Sequence, residues 1–166
     1  MAKADPSDLY MNFADISVDL DAANSASLVE GQFKTGLSVR GQLAWIVHSI
    51  EVYFADAAVA TSIQELAVCT VGELATMPDL GDKGVIHKCR ERLLYAGAAF
   101  AAAVYRPYGK EFLPPVPLAS PNLSVYAKTA ADDANLRGET IEVRLGFTTV
   151  PMDSKLVLEI AETWGY

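Results

Sequence analysis

The sequence predicts an all-β chain, an eight-stranded antiparallel β-sandwich over residues 11–166, with residues 1–10 as a flexible N-terminus. Three observations predict it. Apolar and polar residues alternate with a period of two in several separate runs. The strongest run is rich in Trp, Ile, Val, Tyr and Phe, which fit a pleated surface. Helical segments do not alternate with strands, which counts against an α/β fold. The chain has 166 residues, 51% of them hydrophobic, enough for one domain with a real core.

In the first predicted strand, 11–20, Ala14, Ile16, Val18 and Leu20 alternate with Asp15, Ser17 and Asp19. The run 32–55 reads as one long bent strand. Its odd positions Phe33, Thr35, Leu37, Val39, Leu43, Trp45 and Val47 oppose polar Gln32, Lys34, Ser38, Arg40 and Gln42. Gly36 or Gly41 could mark a bend or bulge. From Ala44 the even positions also turn apolar, through Ile46, Ile50, Val52 and Phe54, as if the strand were covered on both faces. Residues 62–71 read as strand because Val, Thr and Cys close them, and 76–84 as a turn-rich loop. Residues 84–94 and 97–105 read as two more strands, with a helix through 89–103 as the alternative, since alanine favours helix. Residues 107–121 hold five prolines and read as an extended, irregular surface run. Alternation returns in 122–128, where Leu123, Val125 and Ala127 face one way. It is cleanest in 139–149, with Ile141, Val143, Leu145 and Phe147 inward, and it closes with Leu156, Leu158 and Ile160 in 155–162. Eight antiparallel strands with uneven connections point to a jelly roll, the eight-stranded sandwich with Greek-key connections.

The formal charge is −8, from 13 basic and 21 acidic residues. An acidic chain repels phosphate backbones, so direct nucleic-acid binding is not expected. The start MAKADPSDLY lacks the basic-then-apolar pattern of a signal peptide, so an intracellular site of synthesis is expected. The most apolar stretch, 93–105, is too short to span a membrane, and nothing supports membrane contact. Cys69 and Cys89 are 20 residues apart with no CxxC spacing. The reading favoured is two buried free thiols, with pairing left open.

The chemistry-bearing residues do not converge on a site. His48 and Glu51 are three apart, one face of a helix but opposite faces of a regular strand. The strand reading therefore separates them. His87 lies in the charged run IHKCRER and reads as a solvated strand residue. Two histidines and two cysteines make a zinc set only if all four meet, and the His-x-His of a cupin metal site is absent. No nucleophile elbow, P-loop or dinucleotide fingerprint occurs. Asp79, Asp82, Asp132 and Asp133 sit in loops and could hold calcium, but turn chemistry explains them equally and EF-hand spacing is missing. Asn122-Leu123-Ser124 matches a glycosylation triplet. Tyr95, Tyr105, Tyr108 and Phe112 cluster before the proline run, read either as packing at the sandwich edge or as a ligand or subunit contact. No catalytic residue, cofactor, metal or small-molecule substrate is predicted.

The segments FLPPVPLASPNL, SVYAKTA, IEVRLGFTTV and the closing ETWGY, together with LAWIVHSIEVYF, resemble the single-jelly-roll capsid proteins of tailless icosahedral viruses, of the environmental, bacterial or archaeal kind. The likeness is one of pattern and strand order over the last 55 residues or so and the central strand. It implies a structural virion protein, made in a host cytoplasm, whose copies assemble with one another and with other capsid proteins. The preorganised proline run suits subunit contact, because ordering it costs little entropy. The expected interface residues are Tyr105, Pro107, Tyr108, Phe112, Pro114 and Pro115. The chain lacks the basic arm with which many RNA-virus capsid proteins neutralise a genome. A carbohydrate-binding, lectin-like sandwich or fibre module is the alternative, and it requires exposed aromatics in a groove.

Overall fold

A computed structural model of the chain describes residues 11–38, 43–55, 63–92, 108–153, 155–158 and 160. Eight strands run in chain order as β1 (Asn12–Asp19), β2 (Val29–Lys34), β3 (Leu43–Tyr53), β4 (Ile63–Cys69), β5 (Val85–Arg92), β6 (Tyr108–Leu118), β7 (Asn122–Thr129) and β8 (Thr140–Pro151). They form two four-stranded sheets, ordered β1-β8-β3-β6 and β2-β7-β4-β5.

That order is the jelly roll expected from the sequence. Strand β1 pairs with β8, β2 with β7, β3 with β6 and β4 with β5, all antiparallel. The chain is thus one long hairpin, turned between β4 and β5. Rolling that hairpin brings β3 beside β8 and β4 beside β7, which completes both sheets.

The core lies between the sheets. Ile16 and Val18 of β1, Leu66 and Val68 of β4, Leu123 and Val125 of β7 and Ile141, Val143 and Leu145 of β8 are all buried there. Trp45 stacks on Phe147, ring centroids 3.8 Å apart. Each such aliphatic side chain stabilises the fold by about 1.5–3 kcal/mol through burial. On one side the sheets close: Gly31 of β2 comes so near β1 that a Cβ there would lie 2.8 Å from the Ser17 carbonyl oxygen.

The two outer faces differ. The loop after β4 folds over the second sheet. Tyr126 donates to the Val71 carbonyl and accepts from the Leu74 amide, each at 3.2 Å, and Leu74 and Met77 cover Ala67, Cys69 and Val85. The outer face of the first sheet instead carries Phe13, Arg144 and Leu113 near solvent.

Several expectations are corrected. The single bent strand 32–55 is two strands in opposite sheets, β2 and β3. The proline run is not irregular: residues 108–118 form β6. Among the described residues it is an edge strand, bonded to β3 alone, where a residue without an N–H is tolerated. The closing strand 155–162 is wrong for the residues described: Lys155 to Leu158 and Ile160 are helical. Asp153 caps that turn, its Oδ1 accepting the Leu156 amide at 2.8 Å while its carbonyl accepts the Val157 amide. Leu156 and Ile160, four apart, turn inward together. The predicted strand 97–105, most of the alternative helix 89–103 and the terminus 1–10 lie outside the described residues, but 89–92 belong to β5.

Candidate functional site

The site is built where β3 breaks its register. Val47 pairs with Phe147 of β8, and Ser49 with Gly146, so His48 is one residue too many for its partner strand. On the other side Val47 pairs with Val116 of β6, and Ser49 with Glu111. Phe112, Leu113, Pro114 and Pro115 therefore stand opposite His48 alone. Two irregularities face each other across one strand, and Pro114 and Pro115 have no N–H to give a ladder. The Leu113–Pro114 peptide is cis.

This arrangement opens a groove of about 580 Å³ on the outer face of the first sheet. His48, Ser49 and Glu51 of β3 lie along it, with Gly109, Lys110, Glu111, Leu113 and Pro115 of β6 beside them and Met11 and Phe13 before and on β1. His48 Nε2 and Thr148 Oγ1 share a hydrogen bond of 2.9 Å. Glu51 Oε2 accepts the Tyr53 hydroxyl at 2.8 Å. Lys110 Nζ sits 5.4 Å from the centre of the Phe112 ring. On β1, Phe13 stands beneath the Arg144 guanidinium, which is bonded to Asp15.

His48 and Glu51 are thus on the same side after all. The extra residue cancels the odd spacing: Val47 and Ile50 both point inward, and His48, Ser49 and Glu51 line one groove. The two groups serve as polar points in an apolar trough. Each is bonded to a neighbour, His48 to Thr148 and Glu51 to Tyr53.

Of the expected interface residues, Tyr108 is exposed, Pro114 is exposed and Pro115 is half-buried. Tyr105 and Pro107, like Tyr95, lie outside the described residues. Phe112 is corrected: it is only 7% exposed and belongs to the core. Its neighbour Leu113, which sequence reasoning missed, is 88% exposed. Alternation along β6 could have distinguished them, but the prolines hid the strand.

Other candidates resolve differently. His87 is no solvated residue, being 2% exposed between the sheets. Asp132 is bonded to Arg137 and to Ser25, and these hold its carboxyl below the usual range. Asp79 pairs with Lys88, and Asp82 Oδ2 accepts the Asp79 amide. These carboxylates serve loop structure, and no group of three metal-ligating side chains gathers among the described residues. Cys69 and Cys89 are free and buried. They sit on opposite faces of the second sheet, Cys69 under the covering loop and Cys89 in the core. Burial pushes both thiols up to about 12. No helix among the described residues is long and apolar enough to cross a membrane.

No family model and no curated protein matches the chain. Among solved structures, dimeric latent PorU from Porphyromonas gingivalis is similar over 86% of this chain and 13% of that one, with 12% identity and a TM-score of 0.37. The chain spans that small share of PorU, and a likeness so slight carries no argument about function.

Proposed function

We propose that this protein is a structural assembly subunit, a small jelly-roll capsid protein whose copies build a shell. The observation that carries the reading is the outer face of the first sheet. It presents Leu113, 88% exposed, and Phe13, 60% exposed, on either side of a groove whose neighbour β6 is, among the described residues, an outer strand of its sheet. Large apolar side chains gathered around a groove mark contact surfaces more than catalytic ones. The jelly-roll order is compatible with lectins and cupins too, so the surface rather than the fold carries the argument. In this reading the contact falls on Leu113, Pro114, Pro115 and Tyr108, with Phe112 holding them from below. Genome contact falls to other virion components, because the chain is acidic.

Light scattering and negative-stain microscopy of the full chain test this. Shells, rings or other large symmetric assemblies are expected. Leu113→Asp should leave the far-ultraviolet spectrum and melting behaviour intact while weakening assembly at least tenfold in concentration, about the 1.4 kcal/mol that removing one buried leucine contact exceeds. Phe112→Asp is unsuitable as a contact probe, because it buries an unpaired carboxylate in the core. A wild-type monomer at all concentrations that binds a glycan would favour the lectin reading instead.

A further inference from the structure

Among the described residues, the buried side-chain polar atoms without a hydrogen-bond partner are Nδ1 and Nε2 of one residue, His87. The ring is 2% exposed and faces inward from β5, opposite Val68 of β4. A neutral imidazole carries one donor and one acceptor, so both needs go unmet. The ring lies in an aromatic slot made by β6. Tyr108 stacks on it at 5.6 Å, and Phe112 meets it edge-on at 6.2 Å.

Shape alone does not require a histidine here. A phenylalanine fills the same slot and leaves no polar atom stranded. The slot also has a particular place in the fold. Among the described residues, β5 and β6 are the outer strands of the two sheets on the side away from β1 and β2, and no ladder joins them. Aromatic packing around His87 therefore bridges the sheets there.

The charges near the ring oppose a proton on it. From β6 come the Lys110 ammonium and the Tyr108 ring. From β4 comes apolar Val68. On β5 itself, Lys88 and Arg90 alternate to the outer face, where they pair with Asp79 and Glu65. Protonation would give the ring a second N–H with no acceptor and a charge facing Lys110.

We propose that His87 is a proton-operated latch: on taking up a proton it drives β6 from β5 and opens that side of the sandwich. Burial and the Lys110 charge hold its pKa down at about 4, against 6.5 for an ordinary histidine, so the device works in mild acid. The latch does not depend on the assembly reading.

The two thiols report it. Cys89 lies two residues beyond His87 on the same inner face, while Cys69 lies on the other face of the sheet. The full chain is labelled with an acid-active dithiodipyridine at about pH 7.5 and about pH 5, and each cysteine is followed by peptide mass spectrometry. The ratio of Cys89 to Cys69 labelling should rise roughly tenfold at the lower pH, the factor that one pKa unit of differential protonation supplies. In His87→Phe the rise should vanish. A ratio that does not move, a parallel rise at Cys69, or an equal rise in His87→Phe would overturn the latch. So would a His87 ring that titrates near 6.5 by NMR in the unaltered chain.

Discussion

Gly146 is the β8 partner of Ser49, a groove residue, and the space over it is tight for a side chain. A Cβ would lie 2.5 Å from Ser49 Oγ, 3.0 Å from Met11 Sδ and 3.4 Å from a Phe13 ring carbon. Met11 can swing aside, but Ser49 Oγ clears the new carbon only by leaving its rotamer about the Cα–Cβ bond. Adding a β-carbon to a strand is worth at most about 1 kcal/mol in propensity. Overpacking costs about 1–3 kcal/mol, so the clash wins. Gly146→Ala is expected to lower the urea-unfolding free energy by about 1 kcal/mol and to shift Met11 and Phe13 away from the groove. Adding Ser49→Ala should restore most of the loss. A Gly146→Ala chain as stable as the natural one would show that the strand can move to make room.

Along the elements, β3 and β6 carry the irregularities that make the site, and β3 is where the sequence is both legible and misleading. Its inward residues are Trp45 and Val47 before His48, then Ile50, Val52 and Phe54 after it. That switch from odd to even positions is visible in the sequence. Read as coverage of both faces, it hides the site; read as a phase slip, it marks a one-residue bulge. Strand alternation in β1 and β8 was legible because each buries one face more than the other, and in β7 because its covered outer face still carries polar-tipped Ser124, Tyr126 and Lys128. β6 was not, because its prolines argue against strand unless the strand is known to be an edge. The closing helix was not, because Leu156 and Ile160 satisfy periods of two and of four alike. The slip in β3 has a sharp consequence. Deleting His48 removes the extra residue and leaves Val47 and Ile50 two apart, both still inward, in unbroken register with Phe147 and Leu145 of β8. The deletion chain is expected to fold, as judged by circular dichroism, with β3 straightened and the groove flattened. His48→Ala should keep the bulge and lose only about 1 kcal/mol, the bond to Thr148. A deletion chain that fails to fold would mean that residues 112–115 of β6, which stand opposite His48, need the extra residue even though β8 does not.

At the scale of the whole molecule, acid should act in two stages, because the shifted groups fall in two windows. His87 is held at about 4 when folded against 6.5 when unfolded. Between those values the unfolded chain binds more protons, so stability is full above 6.5 and is lost as pH falls toward 4. At about 1.4 kcal/mol per unit, reduced for solvent near the sandwich edge, the loss is about 2 kcal/mol. The carboxylates come next. For Glu30, burial raises the pKa, but hydrogen bonds from Ser124, Gln32 and the Glu73 amide outweigh it and leave it lowered. The Asp79 carboxyl is lowered by Lys88, and that of Asp132 by Arg137. Their contributions are present above the ordinary carboxylate range and are lost as pH falls below it, from about 4.5 downward. Urea unfolding across this range should show a first decline beginning near pH 6.5 and a steeper one below about 4.5. In His87→Phe the first decline should disappear while the second persists. The variant should also be more stable at neutral pH by about 1–3 kcal/mol, because the stranded imidazole atoms are gone. An unchanged first decline would assign it to groups other than His87, and a loss of neutral stability would mean that His87 finds partners in solution.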